Sequence, residues 1–367
     1  MLVALFTLYH SPPLQIAENT SSFLILEPHV ATDPRYISTV EINWNHMSHI
    51  VRSYLPSRSE YHGIGFLNVN NIEIDQWKEV MKFNCEHVAL HLDHAADNFY
   101  SSNAKKEAYA TILHSAQDYV CGAIAAAQSI RMSGSTRDLV ILVDDSITEH
   151  HRNGLESAGW KIQTFQRIRN PRAKPNTYNE WNYSKFRLWQ FSESDKIIFL
   201  DADMLILRNV DFLFEFPEIS ATGNDGTFFN SGLMVVEPSN VTFKLLMDHV
   251  DEVVSYNGGD QGYLNEIFTW WHRIPKHMNF LKHFREGDNR LKTKLFGSNP
   301  PVLYVVHYLG YKPWLCFRDY DCNWNVEHYH LFASDKAHKT WWRVHDAMPE
   351  SLQRFCLLRS EQKAKIE

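Results

Sequence analysis

The sequence predicts an α/β fold, a mostly parallel central sheet flanked by helices, and three observations carry that prediction. From Glu107 onward, short runs of branched and aromatic residues alternate with helical stretches, the pattern of parallel strands joined by right-handed crossovers. One run, Lys196-Ile-Ile-Phe-Leu-Asp-Ala-Asp-Met-Leu-Ile-Leu, has the continuous apolar character of a strand buried on both faces. The 367 residues are 44% hydrophobic and 22% charged, an ordinary globular composition with apolar residues enough to cover both faces of a sheet.

Taken in order, residues 1–104 read as a separate N-terminal stem or accessory segment. Met1 to Tyr9 is apolar but lacks a basic flank, so it reads either as the remnant of a longer membrane anchor or as a floppy end. A strand is expected over Gly63 to Val69 and a helix over Ile74 to Phe83, and Ser101-Ser-Asn-Ala-Lys-Lys reads as a linker. The main domain is placed at 105–367. It opens with a strand at Tyr109 to His114 and an Ala-rich helix at Tyr119 to Arg131. A second strand, Asp138-Leu-Val-Ile-Leu-Val, runs to Asp144, and Ser146-Ile-Thr-Glu149 fits a capping box for the next helix. A third strand follows at Trp160 to Gln166. Asn179 to Phe191 is expected to be a helix that carries Lys185 and Arg187 into the central strand. Beyond it lie a strand at Phe229 to Glu237, an amphipathic helix at Val241 to Tyr256 and a buried strand at Val302 to His307.

Several functions are disfavoured. The net charge of −7, with no long Lys/Arg stripe, argues against nucleic acid as a partner. No Gly-x-Gly-x-x-Gly follows the first strand and no phosphate-binding Gly-x-x-x-x-Gly-Lys-Ser/Thr is present, which disfavours a dinucleotide domain and a P-loop enzyme. No run of 18 apolar residues occurs. The five cysteines form no zinc spacing. Cys316 and Cys322 can pair in an oxidising compartment, and the odd total leaves at least one thiol over. Three glycosylation sequons begin at Asn19, Asn182 and Asn240.

Chemistry concentrates at strand ends. Asp201 and Asp203 close the central apolar run, and at positions i and i+2 of an extended chain they point to one side. Two such carboxylates need a positive partner, and a divalent cation shared with substrate phosphates supplies it. A second Asp-x-Asp, Asp319-Tyr320-Asp321, has no apolar strand before it. In Asn257-Gly-Gly-Asp-Gln-Gly, Asp260 and Gln261 sit on a turn that either faces a ligand or caps a helix. His307 ends another buried strand as a third candidate ligand, with Gly310 and Lys312 just beyond it; Lys312 would serve as a point charge for phosphate.

In Phe-Leu-Asp-Ala-Asp (199–203), Phe-Asn-Ser-Gly (229–232), Gly-Gly-Asp-Gln-Gly (258–262) and His-Tyr-Leu-Gly-Tyr-Lys-Pro-Trp (307–314), the chain resembles the family 8 glycosyltransferases, glycogenin-like retaining enzymes with a GT-A fold. Ser184-Lys-Phe-Arg-Leu-Trp, residues 266–280 and residues 314–325 look like the plant branch that adds glucuronic acid to xylan. The resemblance implies a UDP-sugar donor and manganese held by Asp201, Asp203 and His307. It puts Thr111, Leu113 and Tyr119 in the nucleotide pocket, with Lys185, Ala202, Asn230, Gly310 and Lys312 also on the donor and Asp260 and Gln261 beside the reacting carbon. It implies UDP-glucuronate as donor, xylan as acceptor and a catalytic domain in the Golgi lumen. Asp260 is then either a nucleophile or, with front-face attack, a positioning group. For the donor carboxylate, Arg187, Arg273, Lys276 and His277 are the candidate cations, and Trp270, Trp271, Trp314 and Trp324 are candidates for stacking on polysaccharide. A glucosyltransferase using UDP-glucose, a metal-dependent phosphohydrolase and a non-catalytic sugar-binding protein are the competing readings.

Overall fold

The computed structural model describes residues 105–114, 117–224 and 227–366, with two short antiparallel strands at Phe23–Ile25 and Ser38–Val40. The strand expected over 63–69, the helix over 74–83, the linker and the apolar start lie outside the described residues. The chain divides into two compact units. One comprises residues 1–104, 248–256 and 262–269, and the other residues 105–247, 257–261 and 270–367.

The main sheet of the second unit has seven strands. They are β1 (Glu107–Leu113), β2 (Asp138–Val143), β3 (Lys161–Thr164), β4 (Lys196–Leu200), β6 (Ser220–Gly223), β7 (Phe229–Val236) and β8 (His272–Ile274), with β5 (Met204–Ile206) belonging elsewhere. The order across the sheet is β8-β6-β7-β4-β1-β2-β3. All neighbours run parallel except β7, which is antiparallel to both β6 and β4. Helices α1 (Val120–Met132) and α2 (Glu149–Ser157) provide the crossovers from β1 to β2 and from β2 to β3. β1 is buried along its whole length and β4 over Ile197 to Leu200, as expected of strands with both faces covered.

The central apolar run is not one strand. It breaks at Asp201-Ala202-Asp203 into β4 and β5, and β5 leaves the main sheet for a smaller one of order β9-β10-β5, where β9 is Phe280–Leu281 and β10 is Val305–His307. The two carboxylates therefore converge through a turn and not through strand alternation. Alanine and glycine in α1 let the helix lie against that turn: a Cβ on Gly122 would meet the Ala202 carbonyl at 2.2 Å and the Trp314 ring at 2.6 Å. Ser129 of the same helix accepts a hydrogen bond from the Ile206 amide, 3.0 Å, which fixes β5 to α1.

Other elements differ in detail. Residues 182–190 wind as a 3-10 helix, so their side chains turn faster than in an α-helix. The cap of α2 is Thr148, which accepts from the His151 amide, two residues later than the expected capping box. Helix α3 (Asn240–Asp248) ends well short of Tyr256, and α4 (Asp260–Ile267) starts at the Gly-Gly turn.

Candidate active site

The acidic turn sits where the two sheets meet. The Asp201 amide donates to the Gly232 carbonyl of β7, 2.8 Å, and the Tyr308 amide just after β10 donates to the Asp203 carbonyl, 2.9 Å. These bonds bring β4, β7 and β10 to one point. There Asp201, Asp203 and His307 each offer a ligand atom, all within 4.8 Å of one another. A Cβ on Gly232 would lie 2.7 Å from the His307 ring, so this strand needs glycine to admit the imidazole.

Two lysines flank the group. Lys312 Nζ pairs with Asp203, 2.6 Å, and donates to the Tyr308 carbonyl, 2.7 Å, while His307 Nε2 lies 3.2 Å from the other Asp203 oxygen. Lys185 Nζ pairs with Asp260, 2.7 Å, and with Asp201, 3.2 Å, and lies 4.9 Å from the centre of the Phe199 ring. Burial would raise the Asp203 carboxyl, but Lys312 and then His307 outweigh it and hold the group below the usual carboxylate range. Burial raises the Asp201 carboxyl, against the pull of Lys185 and with the added repulsion of Asp203. Burial likewise opposes charge on Lys185, and Asp201 and Asp260 overcome it, leaving the ammonium above its ordinary value. The site alternates two lysines and three aspartates, each lysine paired with at least one carboxylate.

Asp260 and Gln261 open α4 and are tied to β7. Ser231 Oγ donates to the same Asp260 oxygen that Lys185 holds, 2.8 Å, and Asn230 Nδ2 donates to Gln261 Oε1, 3.0 Å. Asn230 Oδ1 in turn accepts from Asn279, 2.8 Å. The preceding Gly258 has a φ of +70°, which favours glycine, and its carbonyl accepts from Asn170 and Asn179. The turn is both of the things its sequence allowed, a helix start and a platform for polar side chains.

Gly310 also has positive φ, +76°, and a Cβ there would strike the Asn323 side chain. Asn323 Oδ1 accepts from the Tyr311 amide, 2.9 Å, and Asn323 is itself held by Asp321. Asp321, from the second Asp-x-Asp, is fully buried with Lys282, 3.2 Å, and His338. Asp321 is thus a structural anchor, and Asp319 is an exposed positive-φ residue paired only with Arg318 among the described residues.

Of the nucleotide candidates, Thr111 and Leu113 are buried in β1, whose C-terminal end abuts Asp144. Tyr119 lies beneath Lys312, 5.9 Å from ring centre to Nζ, and edge-on to Trp314. Ala202 is the middle of the acidic turn. Of the cations suggested for a donor carboxylate, Arg187 binds the Gln166 carbonyl and Gln190 and lies over the Phe243 ring, and Arg273, in the edge strand β8, lies over the Trp271 ring. Lys276 and His277 form a 3-10 turn after that strand. Trp314 is core, and Trp270 and Trp324 are exposed. Sequence reasoning gave no role to Ser231, although it lies in the Phe-Asn-Ser-Gly run, or to Asn279, in the stretch 266–280. It also left the cysteines undecided. Cys121 bonds Cys356 across 235 residues and Cys316 bonds Cys322, while Cys85 lies outside the described residues.

Residues 110–222, which hold the acidic turn, match glycosyl transferase family 8, and residues 33–104 match the GUX1-5 N-terminal domain. The putative UDP-glucuronate:xylan alpha-glucuronosyltransferase 3 of Arabidopsis thaliana is 54% identical, over 100% of this chain and 82% of its own. The chain belongs to glycosyl transferase family 8. UDP-glucuronate:xylan alpha-glucuronosyltransferase 1 of the same plant is 72% identical over 72% of this chain, and this family 8 chain spans only 41% of its length. Human glycogenin-2 is 35% identical over 53% of this family 8 chain and 41% of its own. Membership of family 8 carries the GT-A fold, and the mostly parallel sheet with its acidic turn at the β4 end is that fold in this chain.

Proposed function

We propose that this chain is a retaining α-glucuronosyltransferase that moves glucuronic acid from UDP-glucuronate to xylan with the help of a divalent cation, manganese by expectation. The single observation that carries the reading is the meeting of Asp201, Asp203 and His307 at one point, flanked by Lys185 and Lys312, in a family 8 chain. Two carboxylates and an imidazole suit manganese, and the buried negative charge of the aspartates needs a cation. When bound, the ion would neutralise charge on the departing UDP. The named activities of the Arabidopsis relatives support the choice of donor and acceptor.

The chain's own residues divide the work. Lys312, fixed by Asp203 and the Tyr308 carbonyl, presents its ammonium to the diphosphate and stabilises the leaving group. Asp260 is held through one oxygen by Lys185 and Ser231, leaving the other oxygen to orient the donor sugar. Gln261, steadied by Asn230, lines the same face. Two disulfides among the described residues suit an oxidising compartment, in keeping with a catalytic domain in the Golgi lumen. No helix of the described residues is long and apolar enough to cross a membrane, and we read residues 1–104 as a stem separate from the catalytic domain, 105–367.

A panel of UDP-sugars with manganese and xylohexaose, read by mass spectrometry, tests the function. The expected product is xylohexaose carrying one glucuronic acid. Glucose transferred as fast as glucuronate would overturn the donor assignment, and phosphate released with no acceptor product would overturn the transferase itself.

A further inference from the structure

A donor that carries a carboxylate on its sugar needs a cation for it, and the lysines of the site are committed: Lys185 to Asp201 and Asp260, Lys312 to Asp203. One arginine at the same edge of the sheet is committed through a single nitrogen. Arg167 follows β3 by three residues. Its Nε pairs with Asp144 at the end of β2, 3.0 Å, and its guanidinium lies over the Trp181 ring, 4.3 Å from the centre. Asp144 is itself 3% exposed and also accepts from the Ser146 hydroxyl, 2.6 Å, so it is a fixed post. Among the described residues the two terminal nitrogens of Arg167 make no hydrogen bond. The side chain is one-third exposed.

The position is tied to the site through the backbone. The Ile168 amide donates to Ser184 Oγ, 3.0 Å, so Arg167 and Lys185 are the immediate neighbours of a hydrogen-bonded pair. The Asp144 amide donates to the Leu113 carbonyl at the end of β1. The charges of Asp260, Lys185, Asp144 and Arg167 all act on His114, next along, and burial holds its imidazole down at about 4, uncharged at neutral pH. The ends of β1, β2 and β3 thus bring a guanidinium and the Lys185–Asp260 pair into the same neighbourhood, around His114. One nitrogen and one face are fixed, and the outer edge is open. That edge is the planar two-donor fork that matches a carboxylate, a geometry a lysine cannot offer.

We propose that Arg167 is the specificity-determining residue that receives the carboxylate of the donor sugar, with Asp144 and Trp181 as its positioning residues. The inference rests on the glucuronosyltransferase reading. With a neutral hexose the open fork stays unpaired, which penalises the wrong donor as well as favouring the right one.

The test compares wild type, Arg167→Gln and Arg167→Lys with UDP-glucuronate and UDP-glucose on xylohexaose, with UDP binding measured by calorimetry. The expected result for Arg167→Gln is a fall in the ratio of kcat/KM for glucuronate over glucose by roughly ten- to a hundredfold, the range of a charge-assisted contact. Arg167→Lys should recover only part of it, and UDP affinity should be unchanged in both, which also reports that the variants fold. An unchanged donor ratio overturns the inference and leaves the transferase reading intact. Equal loss with both donors, together with weaker UDP binding, overturns it by assigning Arg167 to the nucleotide. Wild-type protein with no preference for glucuronate overturns the donor reading and the inference with it.

Discussion

At the scale of single residues, the site depends on charges held in pairs. Asp203 is the hub: Lys312 and His307 both reach it, and its carboxyl is held below the usual range by them. Asp203→Asn keeps the shape and removes the charge, so the protein should fold, bind manganese more weakly and lose most transfer. Full activity of that variant in chelator-treated protein would show that the acidic turn is not a metal site. Lys312 meets the donor diphosphate in ground and transition states alike in this scheme, so Lys312→Ala should weaken UDP binding as well as turnover. Calorimetry with UDP and a divalent cation measures the first directly, and unchanged affinity there would place Lys312 outside the donor site. Glycine matters at Gly232 and Gly310 for opposite reasons. The first admits the His307 ring, and the second takes a left-handed turn that brings Tyr311 onto Asn323.

At the scale of elements, the strand that delivers His307 and the loop that delivers Lys312 are backed by a buried polar cluster. Lys282 follows β9, and its amide donates to the His307 carbonyl, 2.9 Å. Its ammonium reaches Asp321 and, at 2.9 Å, His338 Nε2. Asp321 also accepts from the Ser334 amide and from Asn323, the residue that clamps Tyr311. Burial, then Lys282, pulls the His338 imidazole from 6.5 down to about 3, so the folded protein holds it neutral: Nε2 accepts from Lys282 and Nδ1 donates to the Tyr320 carbonyl. The sign follows from linkage. A depressed folded value means the unfolded chain takes up the proton first, so this contribution to stability is complete above about 6.5 and is lost as pH falls towards about 3. His338→Gln can make the same two hydrogen bonds without titrating. Its thermal midpoint should sit below wild type at neutral pH and should fall less on acidification. Parallel declines for the two proteins would mean that His338 is not the group that titrates.

For the second compact unit as a whole, Cys121–Cys356 closes the longest covalent loop among the described residues, joining α1, which lies against the acidic turn, to the C-terminal region. A bridge over 235 residues restrains the unfolded chain far more than one over six. Replacing Cys121 and Cys356 by alanine should lower unfolding free energy by about 2–5 kcal/mol, more than replacing Cys316 and Cys322. Denaturant titration of the two double variants decides it, and equal losses would refute the loop-length account. The smaller loop lies beside Asn323, so its removal should disturb transfer more than stability.

Local chemistry and its order along the chain were legible in the sequence alone. Continuous apolar runs named the strands β1, β2, β4, β7 and β10, the residues at and just beyond their ends named Asp201, Asp203, His307 and Lys312, because strand ends in an open sheet are where ligands bind, and a glycine-rich turn named Asp260. Tertiary structure decided what those residues touch. No pattern shows that the run through Asp201 and Asp203 breaks and changes sheet, that Lys185 pairs with Asp260 at 2.7 Å, or that one Asp-x-Asp lies in the site while the other is a buried anchor. The same limit applies to the cations: Arg187, close to Lys185 in sequence, lies over Phe243, while the segment carrying Arg167, 18 positions before Lys185, is joined to it by the Ile168–Ser184 hydrogen bond. Periodicity reports a residue's own face of its own element. Which distant element meets that face is fixed by packing over the whole chain, and sequence spacing does not carry it.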